Sequence, residues 1–159
     1  MGNDFELNKA ELTEETICKT ILINAPVMKV WEVLTNPVVM RQWLSDYDVE
    51  IISEWKVGSS IAFRGNLHGI HYFDKGTVLA FEPGKIFRYT YWSQISELPD
   101  KPENYSLIDF TLIPKGEATE LILTQSNFVL WVAFKHWEFY WNATFEIIKK
   151  LAERKTGRL

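Results

Sequence analysis

Residues 24–43 read Asn24-Ala-Pro-Val-Met-Lys-Val-Trp-Glu-Val-Leu-Thr-Asn-Pro-Val-Val-Met-Arg-Gln-Trp43, and this stretch decides the fold. Two short helices start in it, each at a proline. Pro26 and Pro37 both suit the first helical position, where a missing N–H costs nothing. Asn24 or Ala25 precedes the first helix, and Asn36 has the side chain of an N-cap for the second. Val30, Trp31, Val33 and Leu34 then form an apolar stripe at helical spacing. The helix pair covers about 26–44, preceded by one strand over about 15–24.

Beyond Trp43 the period changes from helical to that of strands. Tyr47–Trp55 reads as a strand, turned by Lys56-Val-Gly-Ser59 into Ser60–Asn66, with Gly58 suited to the positive φ of such a turn. Gly69–Phe81 is a longer strand in which Gly76 marks a bulge or a close approach of backbone. Glu82-Pro-Gly84 turns into Lys85–Ser93, and residues 94–104, with Pro99 and Pro102, form a long loop. Asn104–Pro114 and Ala118–Asn127 make a last hairpin around Lys115-Gly-Glu117. From about Leu130 to Glu153 the period is helical again. The expected architecture is α+β: a curved seven-stranded antiparallel sheet wrapped around a long C-terminal helix, with two short helices between the first and second strands. Residues 1–14 are polar and read as a flexible arm or short helix, with Phe5, Leu7 and Leu12 as docking points. Residues 15–159 read as a single domain.

Composition narrows the function. Apolar residues make up 47% of the chain and aromatics 14%, including seven Trp, which is too hydrophobic for disorder. No apolar run approaches the roughly 20 residues that a membrane span needs. A formal charge of −4 argues against nucleic acid, which wants a basic face. Lys149, Lys150, Arg154, Lys155 and Arg158 cluster at the end of the last helix, where cations complement the helix dipole. The N-terminal residues lack the basic and apolar segments of a secretion signal, so the cytoplasm is the expected location. The single cysteine, Cys18, excludes an internal disulfide and a thiolate metal cluster. It sits in the first strand with no recognisable base, which reads as a buried, inert thiol.

Strand alternation sorts residues by face. With Arg88 turned to water, Phe87, Tyr89, Tyr91 and Ser93 face inward. Asp109 and Thr111 outside put Ile108, Phe110 and Leu112 inside, and Glu120 and Thr124 outside put Leu121, Leu123 and Gln125 inside. Adding Trp43, Phe63, Phe73, Trp137 and Trp141 gives an aromatic interior with few polar groups. Such an interior either lines a small-molecule site or packs solid; both readings want the same residue types. His71 joins the candidate ligand-binding set, its face depending on Gly76, either as a pocket acid/base near neutral pH or as a sheet histidine.

His68 and His71, three apart on one strand, point to opposite faces, and no three-ligand set follows, so no metal is expected. His136 reads as exposed beside Trp137. No Gly-x-Ser-x-Gly elbow, P-loop or dinucleotide fingerprint is present, so neither a cofactor nor a catalytic residue is assigned. In the closing helix, Trp131, Phe134, Trp137, Trp141, Phe145 and Ile148 should face the sheet. Phe139, Tyr140 and Ile147 lie on other faces, where neighbouring elements cover them or where they form a homodimer surface or a pocket mouth.

These residues taken together resemble the START-like superfamily (SRPBCC, the birch-pollen-allergen-like helix-grip fold). The closest branch resembles the homologues of the C-terminal domain of the activator of the heat-shock-protein (Hsp) ATPase. The resemblance covers about residues 15–153. It rests on Ile23-Asn-Ala-Pro with Val30-Trp31, Leu34-Thr-Asn-Pro37, Gln42-Trp43, Trp55-Lys-Val-Gly58, Gly76-Thr-Val78, Phe81-Glu-Pro83, Phe110-Thr-Leu112, the run from Leu121 to Phe128, and Trp141. Many relatives carry a second Trp after the one matching Trp43, followed by Gly-Pro, where this chain has Leu44-Ser-Asp. They also often have Pro-Gly-Gly in the turn that is Val57-Gly58 here.

The resemblance implies a cavity between sheet and last helix. The function expected is a non-enzymatic protein holding a small hydrophobic or aromatic molecule, including lipids. Two alternatives stand beside it: a cyclase- or dehydratase-type enzyme using Tyr89, Tyr91 or His71, and a co-chaperone-like interaction module whose chaperone partner is implied by the resemblance alone.

Overall fold

The computed structural model describes residues 11–45, 48–96 and 98–155. Nine strands and three α-helices lie in it, and the long meander is the frame. Strands β3 (Asp48–Ser53), β4 (Ser60–Leu67), β5 (Ile70–Glu82), β6 (Ile86–Ser93), β7 (Ser106–Lys115) and β8 (Ala118–Ser126) follow one another as antiparallel neighbours. β2 (Ile17–Ile23) adds beside β8, Ile17 opposite Gln125 and Ile23 opposite Thr119, which completes the order β2-β8-β7-β6-β5-β4-β3.

Helices α1 (Val27–Thr35) and α2 (Pro37–Leu44) cross from one edge strand to the other. Asn36 ends the first and caps the second, its side chain accepting from the Val38 N–H at 3.0 Å with Pro37 following at the first helical position. Pro26 sits one residue earlier than expected: it occupies the N-cap of α1, and α1 begins at Val27. The Trp43 indole donates to the Val33 carbonyl at 2.8 Å, which locks the two helices together.

Helix α3 (Trp131–Glu153) lies along the concave side. Phe134, Trp141, Phe145 and Ile148 are buried against the sheet, with Ile23, Phe87, Phe110, Leu121 and Leu123 of the core beneath. Trp131, expected to face the sheet, is 41% exposed at the start of the helix and packs its ring on Phe134, 5.3 Å between centroids. Tyr140 is tied to the end of α2 through its hydroxyl, 2.7 Å from the Leu44 carbonyl. Phe139 is 77% exposed, so neighbouring elements cover only part of the helix's outer apolar residues.

A second, two-stranded sheet joins β1 (Leu12–Thr13) to β9 (Val129–Leu130). The end of the arm is therefore tied to the entrance of α3, although Leu12 itself stays exposed. Phe5, Leu7 and Arg158 lie outside the described residues. His68 lies in the turn between β4 and β5 rather than on a strand, with φ 52° followed by Gly69 at φ 90°. Cys18 is exposed, not buried as expected, because β2 is an edge strand and Cys18 is on its outer face. Among the described residues no helix is long and apolar enough to cross a membrane.

The important irregularity is in β5. Val78 pairs with Tyr89, but Ala80 pairs with Arg88, so Leu79 is an extra residue. A bulge of this kind reverses which parity points inward. Gly76 is a site of close approach and not the bulge: a Cβ there would stand 1.6 Å from the Thr90 carbonyl oxygen.

Candidate functional site

Between the sheet and α3 lies a recess of about 420 Å³, within the range of small-molecule sites. Its floor is the inward face of the meander: Phe63 from β4, Tyr89 and Tyr91 from β6, and Ile108 from β7. Trp137, Tyr140 and Trp141 of α3 form the opposite wall, and Leu44 and Val49 close one side. The mouth lies between Ile95 and Ser96 of the long loop and Val132, Ala133 and His136 of the first turns of α3; Ile95, Val132 and His136 are exposed.

The rings interlock. Tyr91 meets Phe63 at 5.5 Å and Trp137 edge-on at 5.4 Å, and Trp137 meets Tyr140 at 5.1 Å and Trp141 at 6.0 Å. Such pairs prefer offset and edge contacts.

One end of this apolar cup is polar. Asp74 is 4% exposed, yet it is on the recess wall with Tyr72 and Ser93. Its carboxylate accepts from the Tyr91 hydroxyl, from Ser93 Oγ at 2.8 Å and from the Gln94 N–H at 3.2 Å. Burial raises its pKa above the ordinary 3.8, against the lowering effect of those three donors. Tyr91 is pushed well above its ordinary value, first by burial and then by the neighbouring carboxylate, and burial likewise pushes Tyr89 up. Both phenols therefore hold their protons and act as hydrogen-bond groups rather than bases.

Of the ten candidate residues, Phe63, Tyr89, Tyr91, Trp137 and Trp141 come together on the recess. Trp43, Phe110 and Gln125 point inward but are packed beneath it in the core. Gln125 is held by Trp141, whose indole donates to Oε1 at 2.7 Å, and it donates to Ser106 at 3.2 Å. His71 and Phe73 fall on the outer, exposed face of β5, which removes them from the pocket. The cause is the Leu79 bulge: Phe81 faces inward beyond it, packed on Trp31 and Phe87, but before it the inward residues are Tyr72, Asp74, Gly76 and Val78. The recess thus gains Tyr72 and Asp74, which the sequence reading missed. Unbroken alternation back from Val78 would have found both.

Gly65, opposite Tyr72 on β4, makes space for that ring: a Cβ at 65 would meet Tyr72 Cζ at 2.1 Å. Residues 98–104 of the long loop are pinned beside the mouth. Asp100 takes the Lys75 ammonium at 2.7 Å and the Tyr105 hydroxyl at 2.6 Å, and Trp92 donates to the Leu98 carbonyl at 3.2 Å. Among the described residues no group of three or more His, Cys, Asp or Glu could hold a metal ion.

Comparison with known proteins bears on the fold. A solution structure from Cytophaga hutchinsonii is 36% identical and superposes with a TM-score of 0.76, over 88% of this chain and 94% of that one. A crystal structure from Mesorhizobium loti is 27% identical, TM-score 0.68, over 91% and 100% of the two chains. The solution structure of the Aha1 dimer from Colwellia psychrerythraea, 22% identical over 90% and 99%, has a TM-score of 0.68 and shares the fold. No curated protein gives a significant match. Residues 24–153 match the family model described as activator of Hsp90 ATPase homolog 1-like protein. With most of its length inside that match, the chain belongs to the activator of Hsp90 ATPase homolog 1-like family, on a START-like helix-grip fold.

Proposed function

We propose that this protein is a START-like binding protein that holds a small apolar or aromatic molecule between the sheet and α3, without chemical turnover. The observation that carries the reading is the recess of about 420 Å³, lined chiefly by aromatic and aliphatic side chains with Asp74 and Ser93 on its wall. Its tyrosines can orient a bound molecule by hydrogen bonding, and the histidine that an enzyme reading would use, His71, is outside. Native mass spectrometry of protein purified from its own host, set against the denatured mass, tests this. A non-covalent excess mass supports a carrier or sensor. A clean apo mass, together with no response of the recess tryptophans to any apolar probe, removes the reading.

A second reading is an interaction module that forms a homodimer or meets a chaperone. The family description supports it, as does the fold shared with the Colwellia psychrerythraea Aha1 dimer. Phe139, 77% exposed on the outer side of α3, gives it a physical handle. Light scattering on Phe139→Ser beside the parent protein tests self-association. A monomer at all concentrations in both, with no effect on a chaperone ATPase, ends this reading.

A further inference from the structure

The recess has a charge character that its volume alone does not convey. Among its described lining residues there is no Lys or Arg; the buried ionisable acid is Asp74, and the one imidazole, His136, stands exposed at the mouth. Asp74 accepts from the Tyr91 hydroxyl, from Ser93 and from the Gln94 N–H, three donors on a carboxylate that takes about four. Tyr91 reaches it through its hydroxyl, Trp137 packs edge-on against Tyr91 at 5.4 Å, and Tyr72 lies two residues along β5 on the same recess wall; the faces of such rings carry the negative side of an aromatic quadrupole. A buried carboxylate beside aromatic faces attracts a cation twice over, by direct charge and by cation–π contact, and both strengthen where water is excluded. The same arrangement repels a carboxylate head group, which would enter next to Asp74 with no cation to receive it.

We propose that the ligand of this recess is a protonated amine on an aryl or alkyl skeleton, with the ammonium seated against Asp74 and the rings of Tyr91 and Trp137, and the apolar body lying along Phe63 and Ile108. This rests on the reading of the recess as a ligand site and specifies its ligand class. Fatty acids and other anionic amphiphiles are selected against, although the apolar cup would suit their tails.

The test is calorimetric titration of the full chain near pH 7 with three probes of one skeleton: phenylbutylamine, phenylbutanol and phenylbutyrate. The amine should bind about tenfold or more tighter than the alcohol, and the carboxylate should bind weakest. Asp74→Asn, its fold checked by circular dichroism, should bring the amine to within about threefold of the alcohol, both measured on that variant. If that variant does not fold, the order of the three probes on the parent protein decides. Equal or tighter binding of the alcohol or the carboxylate overturns the ligand class but leaves the recess as a site. Failure of all three probes to bind overturns the recess reading itself, and the ligand class with it.

Discussion

The indole N–H of Trp141 donates to the side-chain carbonyl of Gln125 at 2.7 Å, with both residues sealed from water. Gln125 donates onward to Ser106 at 3.2 Å, and the Ser106 hydroxyl donates to the Tyr91 carbonyl at 3.4 Å. One polar chain thus fastens α3 to β8, β7 and β6 in turn. Hydrophobic packing alone would tolerate small rotations of the helix; a buried hydrogen bond does not, because breaking it strands polar groups. This bond therefore sets the rotation of α3 and, with it, the placing of Trp137 and Tyr140 on the recess.

Gln125→Leu should destabilise the protein by about 1–3 kcal/mol, because the Trp141 N–H and the Ser106 hydroxyl lose their buried partner. Trp141→Ala should cost about 3–5 kcal/mol through lost volume. In the double variant the losses should fall short of their sum by about 1 kcal/mol or more, since one bond is removed twice. Urea midpoints at constant m-value measure all three. Simple additivity would mean that the bond does not couple the helix to the sheet.

At the junction of α1 and α2 the two residues of Asn36-Pro37 should behave differently. Asn36→Ala removes the acceptor of the Val38 N–H and should cost about 1 kcal/mol. Pro37→Ala should be nearly neutral, since the first helical position needs no donor and helical φ is open to alanine. Thermal unfolding of the two variants distinguishes them; equal losses would contradict the cap.

The same residues explain what was legible in the sequence. Asn36-Pro37 marks a helix start by chemistry that acts within three residues, so it can be read without any tertiary knowledge. Arg88, Asp109 and Glu120 fix the outer faces of β6, β7 and β8, and the inward residues follow by alternation along unbroken strands. β5 defeats this method because a bulge at Leu79 is set by pairing with β6, and a single strand's sequence does not record its partner's register. Phe81 lies inward on one side of the bulge and Asp74 on the other, so counting back from Phe81 puts Phe73 and His71 inside. Asp74 was harder still, because a carboxylate reads as a solvent residue until its three donors are in view. The β1–β9 pair was not readable at all, since two-residue strands have no periodicity.

Two glycines should separate stability from binding. Gly76→Ala drives a Cβ into the Thr90 carbonyl of the neighbouring strand, backbone against backbone, and should unfold the protein or cost more than about 4 kcal/mol. Gly65→Ala meets first the end of the Tyr72 ring, a side chain and not backbone. Its stability should fall by about 1–3 kcal/mol, while the displaced ring fills the recess and weakens binding of apolar probes. Unfolding curves and probe titrations on both variants check this. Unchanged probe affinity in Gly65→Ala would mean that Tyr72 does not shape the recess.

Asp74 should leave a distinctive mark on the dependence of stability on pH. Burial raises its pKa above the ordinary 3.8 despite bonds from Tyr91, Ser93 and the Gln94 N–H. In the window between the ordinary and the raised value the folded protein holds a proton that the unfolded chain has lost. Stability therefore falls with rising pH across that window: the favourable contribution is complete below the ordinary value and lost as pH rises through the folded one. Asp100 and Glu153 act in the opposite sense. Their carboxyls are lowered, chiefly by hydrogen bonds from Lys75 and Lys149 respectively, so their contributions are lost as pH falls. Asp74→Asn keeps both of those groups and removes only the Asp74 titration. An asparagine can still accept from Ser93 and the Gln94 N–H, and its amide can donate to a reoriented Tyr91 hydroxyl. The difference in unfolding free energy, parent minus Asp74→Asn, should decline as pH rises above about 4 and then level off once Asp74 is ionised in both states. Urea titrations of the two proteins at matched pH values give this difference directly, with the Asp100 and Glu153 contributions cancelling. A flat difference would place Asp74 in contact with water, and a rising one would mean that its three donors outweigh burial and hold the carboxylate ionised.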